Sequence, residues 1–275
     1  MTEREICKRL REAGIEDPSR EAALLLAHFC GRTSPDFEGI DYEDKRLQKA
    51  VDARCQHTPL QYLFGEWPFF RQGYLVSKDC LIPRSDTEIL VEEAIKVLPE
   101  SAYFADLCTG SGCIAVSTLA ERVDTSCVAL EKFPKTLDLA KKNAARNQVE
   151  ERFFPLCADL LTKEGVEKLA KKAPFDAILS NPPYIRSSVI PTLSDEVQAE
   201  PHAALDGGED GLVFYRAILS LRNLLRPGGR MLLEIGYDQA EAVTSMAKEA
   251  GFSEIRVIKD YGGCDRVVSL ALSQT

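Results

Sequence analysis

Asn181-Pro182-Pro183-Tyr184 brings a side-chain amide, two imino acids and an aromatic ring to one point of the chain. It follows Phe175-Asp176-Ala177-Ile178-Leu179-Ser180, an apolar run of strand character. In an open α/β sheet, ligands bind just beyond the carboxyl ends of strands. Pro182 biases Asn181 away from the helical region, and Pro183 does the same to Pro182. Neither proline carries an N–H, so carbonyl acceptors dominate locally. A stiff, acceptor-rich corner with a flat ring beside it suits a planar group that carries an NH2. Taken alone, Asn-Pro-Pro reads as a rigid turn; the rest of the chain decides between the two.

Three further motifs bear on that choice. Asp106-Leu107-Cys108-Thr109-Gly110-Ser111-Gly112-Cys113-Ile114-Ala115 reads as a strand, a glycine-containing turn and a helix. Glycines there let the backbone approach a ligand closely. Ala115 occupies the third glycine place of the dinucleotide pattern, and no lysine follows the glycines as in a phosphate loop. A loop without Lys or Arg suits a ligand without phosphates, although a tight turn explains it as readily. Glu131 ends Val128-Ala129-Leu130, 19 residues past Gly112, where an acid reads as a ribose hydroxyl acceptor. Asp159 follows Pro155-Leu156-Cys157-Ala158 and suits an adenine amino group, with Leu160 packing on the ring. A helix N-cap is the other reading of Asp159. A nucleoside pocket that lacks phosphate recognition, in a doubly wound sheet, points to S-adenosylmethionine.

Positioning these groups falls to an alternating pattern after Pro83. Thr87 to Leu98, Cys113 to Glu121, Lys135 to Asn147, Gly165 to Lys172, Gly211 to Leu225 and Glu241 to Ala250 read as helices. Ala102 to Leu107, Cys127 to Leu130, Phe153 to Cys157, Phe175 to Ser180, Arg230 to Ile235, Ile255 to Ile258 and Val267 to Leu272 read as strands. The pattern predicts an α/β fold, a doubly wound and mostly parallel seven-stranded sheet. Its last two strands, joined through Tyr261-Gly262-Gly263, are expected to run antiparallel. Upstream, Ile6, Leu10 and Ile15, then Ala22, Leu25, Leu26 and Phe29, then Leu47, Ala50, Val51 and Ala53 form three helical stripes, with Gly31 as a stop. The expected organisation is an N-terminal helical bundle over 1–57, a β-hairpin connector over 58–83 and a catalytic domain over 84–275. The hairpin is expected from Tyr74-Leu75-Val76 and Cys80-Leu81-Ile82 around Ser77-Lys78-Asp79.

A chain of 275 residues, 45% hydrophobic and 28% charged, fits a globular protein of one or two domains. Its net charge of −9 argues against a general grip on nucleic acid, where a basic footprint is the rule. Nine scattered cysteines, with no CxxC pair and no zinc-like spacing, predict reduced thiols in a cytosolic protein. The opening Met1-Thr2-Glu3-Arg4-Glu5 predicts no signal peptide, and no apolar run approaches membrane-spanning length.

The whole chain resembles the class I methyltransferases and, within them, the release-factor glutamine methyltransferases. The cofactor-loop stretch Asp106 to Ala115 and the corner Asn181 to Tyr184 carry the broader likeness. The narrower one rests on Pro59-Leu60-Gln61-Tyr62-Leu63-Phe64-Gly65, Leu81-Ile82-Pro83-Arg84-Ser85-Asp86-Thr87-Glu88 and Glu200 to Leu212. Arg226-Pro227-Gly228-Gly229 to Gly236 and Asp260 to Val267 complete it. Three positions depart from the family pattern. Ser85 replaces a proline, and Leu160 stands where some relatives carry an aromatic. Cys108 stands where glycine is common, which predicts an ordinary backbone conformation there.

The resemblance implies methyl transfer from S-adenosylmethionine, leaving S-adenosylhomocysteine, to the side-chain amide of the glutamine in the Gly-Gly-Gln loop of bacterial release factors. Asn181, Pro182 and Tyr184 are then catalytic. Asp106, Cys108, Thr109, Gly110, Ser111, Gly112, Glu131, Asp159, Leu160 and Asn181 hold the cofactor. Asn181, Pro182, Pro183, Tyr184, Leu81, Pro83 and Arg84 hold the substrate. The Asn181 oxygen accepts from one amide N–H and the Pro182 carbonyl from the other, while the Tyr184 ring lies against the amide. The N-terminal bundle holds the protein substrate. Neither a metal, a direct nucleic-acid partner nor a membrane is expected, and the expected location is the cytoplasm.

Three rivals compete. A nucleic-acid adenine N6-methyltransferase would use the same corner on a flipped base; the acidic charge and the lack of a basic, aromatic-rich segment weigh against it. Retention of Asn181, Glu131 and both loop glycines weighs against a catalytically silent binding protein. A nicotinamide oxidoreductase lacks its third glycine and a Tyr/Lys relay. His28, His57 and His202 read as structural.

Overall fold

The computed structural model describes residues 1–31 and 42–273, in two compact units: Met1–Gly65 with Ser194–Ala199, and Glu66–Leu193 with Glu200–Thr275. In the first unit, α1 (Glu3–Glu12) starts at a capping box in which Thr2 and Glu5 exchange hydrogen bonds. Helix α2 (Pro18–Cys30) starts at Asp17 and ends where Gly31 turns left-handed, φ 66°. Helix α3 (Lys45–Arg54) starts at Asp44. Their inward stripes, Ile6, Leu10, Leu25, Leu26, Leu47 and Val51, are fully buried together. Residues 32–41 of the expected helical region lie outside the described residues. Leu60–Phe64, part of the expected connector, forms a short helix α4 that belongs to this unit.

The second unit opens with a hairpin, β1 (Glu66–Phe69) and β2 (Gln72–Leu75). The hairpin therefore lies earlier than the sequence pattern predicts. Phe70 adopts φ 55°, and the two-residue turn Phe70-Arg71 closes the pair. Ser77 to Cys80 makes its own turn, but Cys80 to Ile82 forms no strand: the Ile82 N–H donates to the Glu200 carboxylate instead, 2.9 Å.

The remaining elements are α5 (Glu88–Val97), β3 (Tyr103–Leu107), α6 (Cys113–Glu121), β4 (Ser126–Glu131), α7 (Pro134–Arg146), β5 (Phe153–Cys157), α8 (Lys163–Ala170) and β6 (Phe175–Ser180). The chain then passes through α9 (Asp195–Gln198) of the first unit before α10 (Val213–Ser220), β7 (Leu225–Glu234), α11 (Ala240–Glu249), β8 (Glu254–Lys259) and β9 (Asp265–Ala271). The sheet order is β5-β4-β3-β6-β7-β9-β8. The first five are parallel, and β9 runs antiparallel to both β7 and β8. This is the expected doubly wound, mostly parallel seven-stranded sheet. Two apolar clusters cover it, one containing Leu90, Ala115 and Ala144, the other Leu169, Ile218 and Ala247. Strand order reverses between β3 and β6, so a crevice opens beyond their carboxyl ends.

Candidate active site

Register places the motifs side by side. Leu107 pairs with Ser180 across β3 and β6, and the Ser180 hydroxyl donates to the Leu107 carbonyl, 2.7 Å. The next residues outward, Cys108 and Asn181, therefore leave the sheet as neighbours. Leu107 also pairs with Leu130, and Glu131 with Cys157, which brings the ends of β4 and β5 to the same edge.

A cavity of about 110 Å³ opens to solvent in this crevice. Cys108, Thr109, Gly110, Ser111, Glu131, Asp159 and Leu160 line it from the expected cofactor set. Leu81, Pro83, Arg84, Asn181 and Pro183 line it from the expected substrate set. Four expected residues are not among its lining residues: Asp106, Gly112, Pro182 and Tyr184. Asp106 is wholly buried behind the loop. Gly112 starts α6 at φ 82°, and a Cβ there would come within 3.2 Å of the Ala140 side chain, so it serves helix packing. Pro182 is buried. Tyr184 packs its ring into the apolar cluster beneath and donates its phenol to Glu234 Oε1, 3.4 Å.

Carboxylates organise the loop. Glu131 accepts from the Gly110 N–H at 3.1 Å and the Phe133 N–H at 3.0 Å, which ties the glycine turn to the end of β4. Burial raises its pKa. Asp106 Oδ2 accepts from the Thr109 hydroxyl, 2.5 Å, and the Ala115 N–H, 3.3 Å. Burial lifts this carboxyl to about 7 against the pull of those two donors. Its Oδ1 is buried with no hydrogen-bond partner among the described residues. The cations of the pocket are neutralised: Lys132 pairs with Asp159 at 2.9 Å and Arg84 with Glu200. An acceptor-rich wall whose two cations are already paired fits a cationic nucleoside ligand and not a phosphate.

Asp159 is not the cap of α8: Thr162 caps that helix by accepting from Gly165 N–H, and Asp159 accepts from Leu161 N–H, 2.9 Å. Cys108 holds φ 59°, so the expected ordinary conformation is corrected. The chain turns left-handed here, as a glycine would allow at no cost. Burial pushes the Cys80 thiol up to about 11, and those of Cys108 and Cys113 higher still, so these pocket thiols stay protonated.

The Asn181 corner is held from outside the sheet. Ile185 N–H donates to Leu205 O, 2.9 Å, and Gly207 N–H to Ile185 O, 2.8 Å. Gln239 Nε2 donates to Tyr184 O, 3.0 Å. Asn181 Nδ2 donates to Thr87 Oγ1, 3.1 Å. The sequence reading assigned no role to Thr87, Gln239 or Glu234. The Asp206-Gly207-Gly208 run was the available signal for the loop, since glycines mark close backbone approach.

Comparison with known proteins places the chain. A methyltransferase small domain model matches residues 85–233, and a PrmC N-terminal domain model matches residues 4–65. A release factor glutamine methyltransferase of Caulobacter vibrioides is 37% identical over 94% of this chain and 91% of its own length. That of Geobacter sulfurreducens is 40% identical over the same shares. The chain belongs to the release factor glutamine methyltransferase family. A methyltransferase structure from Pyrococcus furiosus is 18% identical, with a TM-score of 0.52 over 69% of this chain and 84% of that one; it shares the fold alone. In this chain, the crevice lined by the glycine turn, Glu131 and Asn181 is the candidate centre. Among the described residues, no helix is long and apolar enough to cross a membrane.

Proposed function

We propose that this protein transfers a methyl group from S-adenosylmethionine to the side-chain amide nitrogen of the glutamine in the Gly-Gly-Gln motif of peptide-chain release factors, in the cytoplasm. One observation carries the reading: Asn181 Nδ2 is committed to Thr87, which leaves Oδ1 to accept on the wall shared with Glu131 and the glycine turn.

A carboxamide nitrogen is a poor nucleophile because its lone pair is delocalised. It does carry two N–H groups. Asn181 Oδ1 takes one and the Pro182 carbonyl takes the other. Both contacts aim the nitrogen, a positioning effect worth several kcal/mol. They also favour the positive charge that develops on it as the bond forms, and one of its protons then passes to solvent through the open crevice. Leu81, Pro83 and Arg84 add wall against the glutamine side chain. Tyr184 steadies the corner from behind through Glu234 rather than by lying on the amide.

When bound, S-adenosylmethionine supplies an electrophilic methyl group on a sulfonium that leaves as a neutral thioether. Glu131 has lone pairs beyond those used by Gly110 and Phe133, and these suit ribose hydroxyls. Asp106, buried behind the loop, serves the cofactor by holding Thr109 in the cavity wall. Asp159 and Leu160 suit the adenine. All residues lining the cavity come from the second unit, which leaves the first free to grip the release factor, because one glutamine side chain offers too little surface for selectivity.

The test is mass spectrometry of a release factor incubated with enzyme and cofactor. One added methyl group on the Gly-Gly-Gln glutamine is expected. An unmodified glutamine, with methyl transfer to adenine in DNA or RNA instead, would overturn the reading.

A further inference from the structure

An edge strand leaves a row of outward N–H and C=O groups without a strand partner. Strand β2 pairs with β1 in a two-stranded sheet, so among the described residues its other edge has no strand beside it. Side-chain amides cover that edge instead. Asn143 Oδ1 accepts from the Leu75 N–H, 2.7 Å, and Asn143 Nδ2 donates to the Leu75 carbonyl, 3.0 Å. Two residues back, Asn147 Nδ2 donates to the Gly73 carbonyl, 3.2 Å. A carboxamide that both accepts from and donates to one residue stands in for the missing strand.

A carboxamide has two protons to give, and the second from Asn143 goes elsewhere. Nδ2 also donates to the Ser111 carbonyl, 2.8 Å. Ser111 lies between Gly110 and Gly112, at φ 57° and 82°, and lines the pocket. Asn143 itself is fully buried and is not among the lining residues. It stands on one face of α7 with Thr136, Ala140 and Asn147, the residue that caps the helix, at spacings of four, three and four. Thr136 Oγ1 donates to the Asp79 carbonyl, 2.6 Å, and both residues line the pocket. Ala140 packs under Gly112. This face therefore holds the glycine turn at Ser111 and Gly112, and the chain leaving the hairpin at Gly73, Leu75 and Asp79.

A turn with two glycines has the most backbone freedom to lose. A ligand that meets such a turn loose must order it, and its affinity falls by that cost. Glu131 already holds the turn from one side through the Gly110 N–H. We propose that Asn143 is a positioning residue for the cofactor: by fastening the Ser111 carbonyl to the edge of β2, it holds the glycine turn ready from the other side and makes turn and hairpin one wall. Asn143 acts through Ser111. Coupling of this kind is reciprocal, so a bound cofactor that steadies the turn also steadies the Leu75 N–H. The inference rests on the reading of the glycine turn as the cofactor site.

Calorimetric titration with S-adenosylhomocysteine, beside thermal unfolding, tests it in two variants. Asn143→Ala removes all three hydrogen bonds and is expected to weaken binding about tenfold or more, as for a lost buried hydrogen bond. Asn147→Ala is the control. It bares the same edge of β2 at Gly73 without reaching the turn, and its Kd is expected to match wild type. A merely structural role would lower Tm in both variants and leave both Kd values alone. That outcome would overturn the proposal, as would an equal loss of affinity in the two. A second measurement needs no variant and decides the matter even where Asn143→Ala does not fold. In the wild-type protein, S-adenosylhomocysteine is expected to slow amide hydrogen exchange at Leu75 about fivefold more than in β8, at the far edge of the large sheet. Equal slowing at the two places would overturn the coupling. If the wild-type protein binds no S-adenosylhomocysteine, the reading of the turn as a cofactor site fails and the role given to Asn143 falls with it; binding that ignores Asn143 refutes that role alone.

Discussion

Gly207→Ala adds one methyl group at a point where the structure has no room for it. An ideal Cβ there would lie 2.7 Å from Tyr184 Cα and 2.9 Å from the carbonyl oxygens of Pro183 and Gly211. Ordinary contact begins at 3.4 Å, so the shortfall is 0.7 Å to Tyr184 and 0.5 Å to each oxygen. All three neighbours are backbone atoms and cannot rotate away. Gly207 is also pinned by its N–H to Ile185 O, 2.8 Å, and by Val213 N–H to its own carbonyl, 3.2 Å. Relief therefore moves the Asn181–Ile185 corner itself. Overpacking of this kind costs about 1–3 kcal/mol, which lowers Tm by about 2–10 °C in a chain of this size. A displacement of half an ångström or more at Asn181 is expected to cost about ten- to a hundredfold in methyl transfer. Cofactor affinity is expected to hold, because the glycine turn and Glu131 belong to other strand ends. Single-turnover methyl transfer, calorimetric cofactor binding and thermal unfolding measure the three quantities separately. If Gly207→Ala retained wild-type rate and Tm, the loop would be shown to yield freely, and the claim that it holds the corner would be wrong.

Asn181→Ala is expected to lower methyl transfer by about 10² or more, as when one preorganised partner is removed, with cofactor affinity little altered; turnover within a few-fold of wild type would refute its role. Glu131→Ala is expected to do the reverse, weakening cofactor binding in a calorimetric titration while costing little rate at saturation. Asp106 binds a proton in the folded chain up to about pH 7, whereas an unfolded aspartate releases it near 4. Its contribution to stability is therefore lost as pH rises from about 4 to 7. Asp106→Asn, which cannot ionise, is expected to gain stability relative to wild type over that window, by up to about 4 kcal/mol before relaxation. Denaturant unfolding of both proteins at pH 5 and pH 8 checks it, and an equal difference at the two values would contradict the buried charge.

Much of this architecture is local in origin. Strands and helices alternate where apolar periodicity switches, and acids and amides follow the apolar runs, so Glu131, Asp159 and Asn181 could be set at strand ends from composition alone. The helix stops are equally local: Gly31 turns left-handed because it lacks a Cβ. Local rules failed where a neighbour distant in sequence overrode them. Cys80 to Ile82 has strand composition, but the N–H of Ile82 is claimed by Glu200, 118 residues away. Cys108 follows no local preference for φ 59°; it turns there between β3 and the Glu131-tethered glycine loop.

By itself, the order of residues determined which groups are present and which strand ends carry them, because strand propensity and turn chemistry act over a few positions. Only the tertiary structure decided which of those ends meet and which way each side chain faces. The jump from β5 to β6 across β3 puts Cys108 beside Asn181. The direction of Tyr184, into the apolar layer and towards Glu234, and the contact of Thr87 with Asn181 across 94 positions follow from packing. Hydrogen-bond polarity is a property of a closed set of partners, and those partners come together only when the sheet is assembled.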